Sequence, residues 1–209
     1  METGSDQILK LINKGFDADI VVRSGCMAKE ADMILSEFIL LGIGGKELSE
    51  ENAAQTAKAL NIIQPDFICV HATGIKPESK LGEFVRNGSF ALQSEEEIVV
   101  EQKLFLQQLH EMDSYYVNEH IVNLLLEIRG NLRTEKQEML STIDLFLTLP
   151  PDERLLFAVG RRLNIFFRLD DLKNPKLHQK AEESLQQILS KNPHVDFAAL
   201  CNYVRQSQI

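Results

Sequence analysis

The sequence predicts an α/β fold in which strands alternate with helices, followed by a region that is helical throughout. Residues 33–43 and 66–73 are short apolar runs rich in aliphatic side chains, a pattern that favours buried strands. Between them, residues 49–63 carry apolar side chains at helical spacing. A strand, a helix and a strand in this order indicate parallel pairing through a right-handed crossover.

Capping signals predict the helices of the first part. Ser5 precedes an apolar stripe that stops at Gly15, so a short helix lies between a hydroxyl cap and a glycine stop. A second helix is expected over residues 17–31. Ser49 is expected to cap the helix over 49–63, whose first turn also carries acidic residues that suit its positive end.

One more helix and a weak strand are predicted before the chain changes character. Ser94 and Glu97 have the spacing of a capping box and precede another apolar stripe of helical period. Residues 115–117 read Tyr-Tyr-Val and form a weak third strand.

The polar turn near Gly130 divides the chain into a β/α part, residues 1–130, and a helical C-terminal region, residues 131–209. Thr134 and Gln137 have the spacing of a second capping box. Further helix starts are marked by Pro151, by Asn174 and Pro175, and by Val195.

Composition and charge exclude several classes of protein. The chain has 209 residues, 44% of them hydrophobic, which excludes a disordered or collagen-like chain. Its 22 lysines and arginines against 31 acidic residues give a formal net charge of −9, so no nucleic-acid partner is expected. No apolar run approaches the ~20 residues of a membrane span, and the first residues are acidic, so we expect a cytoplasmic protein without a membrane partner.

Metal and disulfide chemistry is not predicted. Cys26, Cys69 and Cys201 are far apart in the sequence, so no pair has the spacing of a zinc or redox motif. No two histidines have the i, i+4 spacing of a helical metal site. We therefore expect three free thiols and no metal site on this chain.

One glycine-rich turn is a candidate ligand contact. Gly42, Ile43, Gly44 and Gly45 follow the first predicted strand and lead toward a helix, where backbone amides can meet a phosphate or a ribose. The segment matches neither the dinucleotide-binding motif nor the P-loop. A plain tight turn and a ligand-contacting turn therefore both remain open.

A second candidate lies just past the third predicted strand. Asn118 and His120 stand at the end of a strand, where α/β enzymes place their chemistry. An ordinary surface or core histidine explains His120 equally well.

Taken in order, several segments resemble the second half of the barrel of radical S-adenosylmethionine (SAM) enzymes. The segments that carry this resemblance are Glu2 to Asp6, Asn13 to Gly15, Leu41 to Glu51 and Pro65 to Ile68. A looser similarity extends through residues 76–81 and 118–130, so that the resemblance covers roughly residues 1–150.

The resemblance implies a partial (β/α) barrel with SAM lying across the carboxyl ends of its strands. It implies that Glu2, Thr3 and Ser5 contact the ribose and methionine parts of SAM. It further implies that residues 42–45 form the glycine turn beside the cofactor, and that His71 lies near the adenine.

On the substrate side, the resemblance implies that Asn118 and His120 face the cavity beyond the last strand. Two features of the family are missing from this sequence. The C-x3-C-x2-C loop that holds a [4Fe-4S] cluster is absent, and the usual Pro-Gly-Thr-Pro is replaced by Lys-Pro-Glu-Ser at residues 76–79.

The function implied is that of the C-terminal portion of a radical SAM iron–sulfur oxidoreductase. Such a portion contributes part of the SAM and substrate site but cannot ligate the cluster, so the chain alone is expected to be inactive and to hold no cofactor firmly. In the intact enzyme, reductive cleavage of SAM would lead to hydrogen abstraction from a substrate that the sequence does not identify.

Two other functions and one interaction remain open. The helical region suggests a non-catalytic interaction module, and the glycine turn suggests a small α/β enzyme with a phosphate-containing ligand. A half-barrel also exposes an unpaired apolar sheet edge, so we expect self-association through that edge.

Overall fold

The computed structural model describes residues 1–208, which form helices and one small sheet. The elements follow in the order α1 (Asp6–Leu11), α2 (Ala18–Glu30), β1 (Ser36–Leu41), α3 (Ser49–Ile63), β2 (Phe67–Ala72), α4 (Lys80–Arg86), α5 (Glu95–Gln108), β3 (Tyr115–Val117), β4 (Gly130–Asn131), α6 (Lys136–Thr148), α7 (Pro151–Arg162), a short 3-10 helix (Leu169–Lys173), α8 (Pro175–Lys191) and α9 (Phe197–Gln206). The α/β class expected from the sequence is confirmed.

The sheet has the order β1-β2-β3-β4. The first three strands are parallel, as the strand–helix–strand pattern predicts, with Phe38 beside Cys69 and Cys69 beside Val117. The two-residue β4 pairs antiparallel with β3 because the chain reverses after that strand, so the sheet is open and mixed. Next to β1, the amide of Leu40 donates to the carbonyl oxygen of Glu2 at 2.9 Å, so the N-terminal segment meets this edge.

One face of the sheet is buried. Ile39, Ile68, Val70 and Tyr116 point to this side and are nearly inaccessible, because α3 and α5 pack across it. The alternation of buried and exposed positions along β1 and β2 follows from the two-residue period of a strand.

The opposite face of the sheet is open. Phe38, Phe67 and Tyr115 lie on this side and are 52%, 39% and 40% exposed. Cys69 and His71 alternate with the buried residues of β2 and lie on the same open side. A parallel sheet is normally covered on both faces, so this half-covered sheet is unusual.

Two helix starts differ from the sequence-based prediction. Ser49 is not the cap of α3: Leu48 occupies that position, and the Ser49 hydroxyl donates to Glu101 instead. Thr134 and Gln137 do not form a capping box, because α6 begins only at Lys136. Local spacing could not anticipate the start of α3, since Glu101, which binds the Ser49 hydroxyl, lies 52 residues away in the sequence.

The remaining helix starts follow their caps. The Ser94–Glu97 capping box of α5 forms as predicted, and Ser5 caps α1. Pro151 opens α7, and Asn174 caps α8 ahead of Pro175. These signals are correct because each uses only neighbouring residues.

The helical region packs on the β/α part and shares its core. The buried apolar cluster is continuous from Ile39 in β1 to Ala181 in α8. The last helix, α9, returns to the loop after β2: the Asn202 side chain accepts from the amide of Ile75 at 2.9 Å and donates to its carbonyl oxygen at 3.1 Å. Gly74 permits this approach, since a Cβ there would lie 2.9 Å from the Gln206 nitrogen.

Among the described residues, no helix combines the length and the apolar character that crossing a membrane requires.

We expect Asn202→Ala to loosen α9, because it leaves the buried amide and carbonyl of Ile75 without partners. The free energy of unfolding should fall by roughly 2 kcal/mol in urea titrations. Gln187→Ala, at an exposed position of α8, serves as the control and should change it by less than about 0.5 kcal/mol. Equal losses in the two variants would contradict the docking role of Asn202.

Candidate functional site

The carboxyl ends of β1, β2 and β3 lie at one edge of the sheet because the strands are parallel. The segments that follow them are the glycine turn at residues 42–45, residues 73–75 and the long loop at residues 118–129. Parallel α/β sheets place their ligands at this edge. This edge is therefore the candidate site.

Two histidines meet at the open face beside this edge. The rings of His71, near the end of β2, and His120, after β3, have centroids 4.4 Å apart and are tilted by 37°. The rings of Phe38 and His71 are inclined at 70° to each other, and their centroids are 5.7 Å apart. Partial burial, together with the charge that His120 can carry, holds the pKa of His71 below its ordinary value. His71 is therefore a neutral imidazole at pH 7.

The loop after β3 is attached to β2 by one side chain. Asn123 accepts from the amide of Ala72 and donates to the carbonyl oxygen of Val70, both at 2.7 Å. The Asn123 side chain thus bonds the backbone of β2 beyond the point where its pairing with β3 ends. This attachment holds the preceding His120 beside His71.

Asn118 begins that loop and is buried. Its side-chain nitrogen donates to the carbonyl oxygen of Leu125 at 2.6 Å, whereas its Oδ1 has no hydrogen-bond partner among the described residues. The Thr73 hydroxyl, after β2, is likewise buried without a partner in the described part of the chain. Buried polar atoms are usually paired, so these two oxygens can be satisfied only by an enclosed water molecule or by a local opening of the loops at this edge.

Two adjacent arginines of α7 hold the loop from the other side. Arg161 donates to the carbonyl oxygens of Asn123 at 2.9 Å and Leu124 at 3.0 Å. Arg162 donates to the carbonyl oxygen of Val122 at 2.9 Å. Both side chains are buried, so they act as internal supports for the loop.

Arg162 also belongs to a buried ion triad. Glu95, the first residue of α5, accepts two hydrogen bonds from Arg162 at 2.5 and 3.1 Å and is also paired with Arg205 of α9. Arg205 in turn donates to the carbonyl oxygen of Thr73 at 3.0 Å. Burial alone would raise the pKa of Glu95, but the two guanidinium groups outweigh it and hold this pKa below its ordinary value.

The triad therefore connects both loops of the site. Arg162 holds the loop after β3, Arg205 holds the segment after β2, and Glu95 neutralises one of their two charges. All three side chains are at most 5% exposed. An ion pair buried this deeply depends on good geometry, since its charges have lost their water.

The glycine turn after β1 is supported by a different carboxylate. Glu101 accepts from the amide of Gly42 at 3.0 Å, from the Ser49 hydroxyl at 2.8 Å and from the Asn52 side chain at 2.7 Å. Burial raises the pKa of Glu101, although these hydrogen bonds oppose the rise.

Close packing accounts for the glycines of this turn. A Cβ on Gly44 would lie 2.9 Å from Ile8, and one on Gly45, whose φ is +63°, would lie 2.8 Å from the carbonyl oxygen of Ala91. The Gly45 amide donates to the carbonyl oxygen of Gly42, and Ile43 is buried. The plain tight turn is therefore sufficient to explain this segment.

The N-terminal candidates are held by internal contacts. Thr3 and Ser5 are fully buried: the Thr3 hydroxyl accepts from the amide of Ser5, and the Ser5 hydroxyl donates to Glu51 at 3.1 Å. Glu2 forms an ion pair with Lys14. A ligand at these residues would have to exchange with contacts that they already make.

The three cysteines lie on three different elements. Cys26 is in α2, Cys69 is in β2 and Cys201 is in α9. Among the described residues, no group of three histidine, cysteine or acidic side chains could hold a metal ion. Burial raises the pKa of the Cys201 thiol to about 12. The thiols of this chain therefore do not fit the three-thiolate ligand set of a [4Fe-4S] cluster.

The structure brings some candidates together and leaves others apart. His71, His120 and Asn118 surround the carboxyl ends of β2 and β3, whereas the glycine turn follows β1 and makes its contacts with α5. None of the residues that support the site is among the candidates predicted from the sequence. The only available signal was an adjacent arginine pair in an acidic chain. These supporting residues are Glu95, Asn123, Arg161, Arg162 and Arg205.

Comparison with known proteins yields only loose structural similarity. No protein-family model and no curated protein matches this chain. An archaeal structure, Methanocaldococcus infernus Elp3 with an N-terminal deletion of residues 1–46, superposes with a TM-score of 0.46 at 18% identity over 53% of this chain. The matched part spans 26% of that structure. A similarity at this level assigns neither a family nor a function.

We expect Glu95→Ala to be strongly destabilising, because it leaves two guanidinium groups buried next to each other without a counter-charge. The free energy of unfolding should fall by roughly 3–5 kcal/mol. Glu95→Gln keeps the shape and should lose less. Glu96→Ala, which removes an exposed carboxylate paired with Arg154, is the matched control and should lose at most about 1 kcal/mol. Similar losses at positions 95 and 96 would contradict the triad.

We expect His71 to make the fold less stable as the pH falls. In the unfolded state the His71 imidazole binds a proton near pH 6.5, whereas in the folded state its pKa is lower. The free energy of unfolding should therefore decrease as the pH drops below 6.5. His71→Gln should flatten this decrease relative to the exposed control His194→Gln, as measured by urea titrations between neutral and mildly acidic pH. Parallel curves for the two variants would contradict the prediction.

Proposed function

We propose that this chain is the C-terminal part of a radical SAM iron–sulfur oxidoreductase. Its role would be to supply one wall of the SAM and substrate cavity, while the cluster is held by residues outside this chain. The observation that carries the proposal is the open apolar sheet face, with His71 and His120 in contact at its carboxyl end. The sequence resemblance to the second half of such a barrel supports the same assignment.

The open face has the composition of a cavity wall. Phe38, Phe67 and Tyr115 are large and apolar, yet each is between 39% and 52% exposed. Burying such surface is favourable at about 25 cal/mol per Å² of apolar area. Further β/α units that continue the sheet beyond β1 would turn this face inward and enclose it.

SAM would lie across the ends of the strands, and when bound in the intact enzyme it supplies the group that removes a hydrogen atom from the substrate. Thr73 and Asn118 lie at this edge with buried oxygens that lack partners among the described residues, and these oxygens would meet a polar ligand only after the loops at the edge open locally. His71 offers a neutral ring that can stack on an adenine. Thr3, Ser5 and the glycine turn would not contact the ligand. They would stabilise the edge of the sheet through their internal hydrogen bonds.

The substrate would contact the outer part of this wall. His120 is half-buried and can donate or accept a hydrogen bond, and Asn123 and Arg161 hold its loop. Phe38 beside His71 would exclude water from the space between ligand and sheet.

A phosphate-binding enzyme is less well supported. Three amides in or next to the turn already donate within the chain: Gly42 to Glu101, Gly45 to Gly42, and Lys46 to Ala91. A buried carboxylate at the turn would also repel an anion. An interaction module remains a second candidate, because the helical region carries an acidic groove between α7 and α8.

Titration of the ¹⁵N-labelled chain with SAM tests the proposal. We expect millimolar binding, since only part of the site is present, with amide shifts concentrated in residues 71–75 and 118–123. His71→Ala should weaken these shifts, and the exposed control His194→Ala should leave them unchanged. The absence of shifts in these segments, or tight binding elsewhere on the chain, would contradict the proposal.

A further inference from the structure

A groove lies between α7 and α8, and its lining shares no residue with the candidate site. Its volume is about 800 Å³. Its floor is apolar and is formed by Leu155 and Leu156 from α7 and by Leu185 and Leu189 from α8. Three of these leucines remain partly accessible, so the floor presents apolar surface that the fold itself does not cover.

The rim of the groove carries charge of one sign. Asp152 and Glu153 line one side, and Glu182 and Glu183 line the other. The described residues that line the groove include no lysine or arginine. Two cations adjoin lining residues in the sequence: Arg154 donates to Glu96, and Lys180 of α8 is exposed and is not among the lining residues.

One histidine lies beside the rim. The Nε2 of His178 is 3.2 Å from a carboxylate oxygen of Glu153, and its Nδ1 is 3.5 Å from one of Glu182. Even with this imidazole protonated, four carboxylates face one cation. The rim therefore stays acidic across the pH range in which the carboxylates are ionised.

We propose that this groove binds a basic amphipathic α-helix of a partner protein. The apolar floor fits the apolar stripe of such a helix, and the acidic rims fit lysine and arginine side chains on either side of that stripe. The complementary charge supplies specificity and speeds association. The lining residues of α8 run from Gln179 to Leu189, about three helical turns, so a partner helix of similar length can lie in the groove.

Charge selects this occupant over a second copy of the chain. The chain has a formal net charge of −9, so the acidic rim of this groove disfavours a second copy as its occupant. An acidic rim likewise opposes an acidic peptide and the anionic surface of a membrane. This inference stands on the groove alone and is independent of the function proposed for the sheet.

The probe for a direct test is a synthetic fluorescent peptide of about 17 residues, the length of α8, with leucine at positions i, i+3, i+4 and i+7 and lysine or arginine elsewhere. Fluorescence anisotropy should report saturable binding that weakens as the salt concentration rises. A scrambled peptide of the same composition, which lacks the apolar stripe, should bind at least about tenfold more weakly.

Charge reversal in the protein locates the site. Glu182→Lys/Glu183→Lys should weaken binding by about tenfold or more. Glu30→Lys/Glu138→Lys changes the net charge by the same amount at exposed positions outside the groove and should change binding by less than about twofold. Circular dichroism checks that both variants keep their helices.

Several outcomes would overturn the inference. These are equal binding of the scrambled peptide, equal loss in the two charge-reversal variants, and the absence of saturable binding at low salt. Light scattering that shows a dimer abolished by Glu182→Lys/Glu183→Lys would assign the groove to a second copy instead. Each of these results leaves the function proposed for the sheet unaffected.

Discussion

The structure depends on one buried carboxylate, that of Glu95, which is held between the guanidinium groups of Arg162 and Arg205. Three charged groups without water are tolerated only because their hydrogen bonds are shared with the backbone of neighbouring loops. Arg162 reaches the loop after β3, and Arg205 reaches the segment after β2. Helices α5, α7 and α9 therefore meet at one point, and the carboxyl ends of two strands are held from behind by the helical region. That region acts as a structural support of the sheet edge.

The same support leaves the opposite side of the sheet free. The triad contacts the segments that follow β2 and β3, whereas Phe38 and Tyr115 project from the open face of the sheet. An edge held rigidly from one side and open on the other is suited to binding a ligand, because the groups that meet the ligand are already in place. His71 and His120 lie at the border between the fixed and the open regions. The polar atoms of Thr73 and Asn118 lie at the same border.

Sequence patterns located most of the elements but not the interaction that connects them. The periods of β1, α3 and β2 and the capping box of α5 use only neighbouring residues, so they can be detected without the fold. Glu95 looked like an ordinary acidic residue at a helix start, because its partners Arg162 and Arg205 lie 67 and 110 residues further along the chain. The histidines were recognisable candidates from their place after strands. Their contact depends on the two hydrogen bonds that attach Asn123 to β2. No local sequence pattern predicts these bonds.

The proposal that the open face is one wall of a larger iron–sulfur enzyme is tested most directly on the endogenous protein. An antibody raised against this chain would purify it from its source cells for intact-mass and iron measurements. The proposal predicts a polypeptide well above 23.7 kDa that carries about four iron atoms per chain when isolated without oxygen. A product of 23.7 kDa without iron would contradict it, and the open face would then have to be covered by a separate partner.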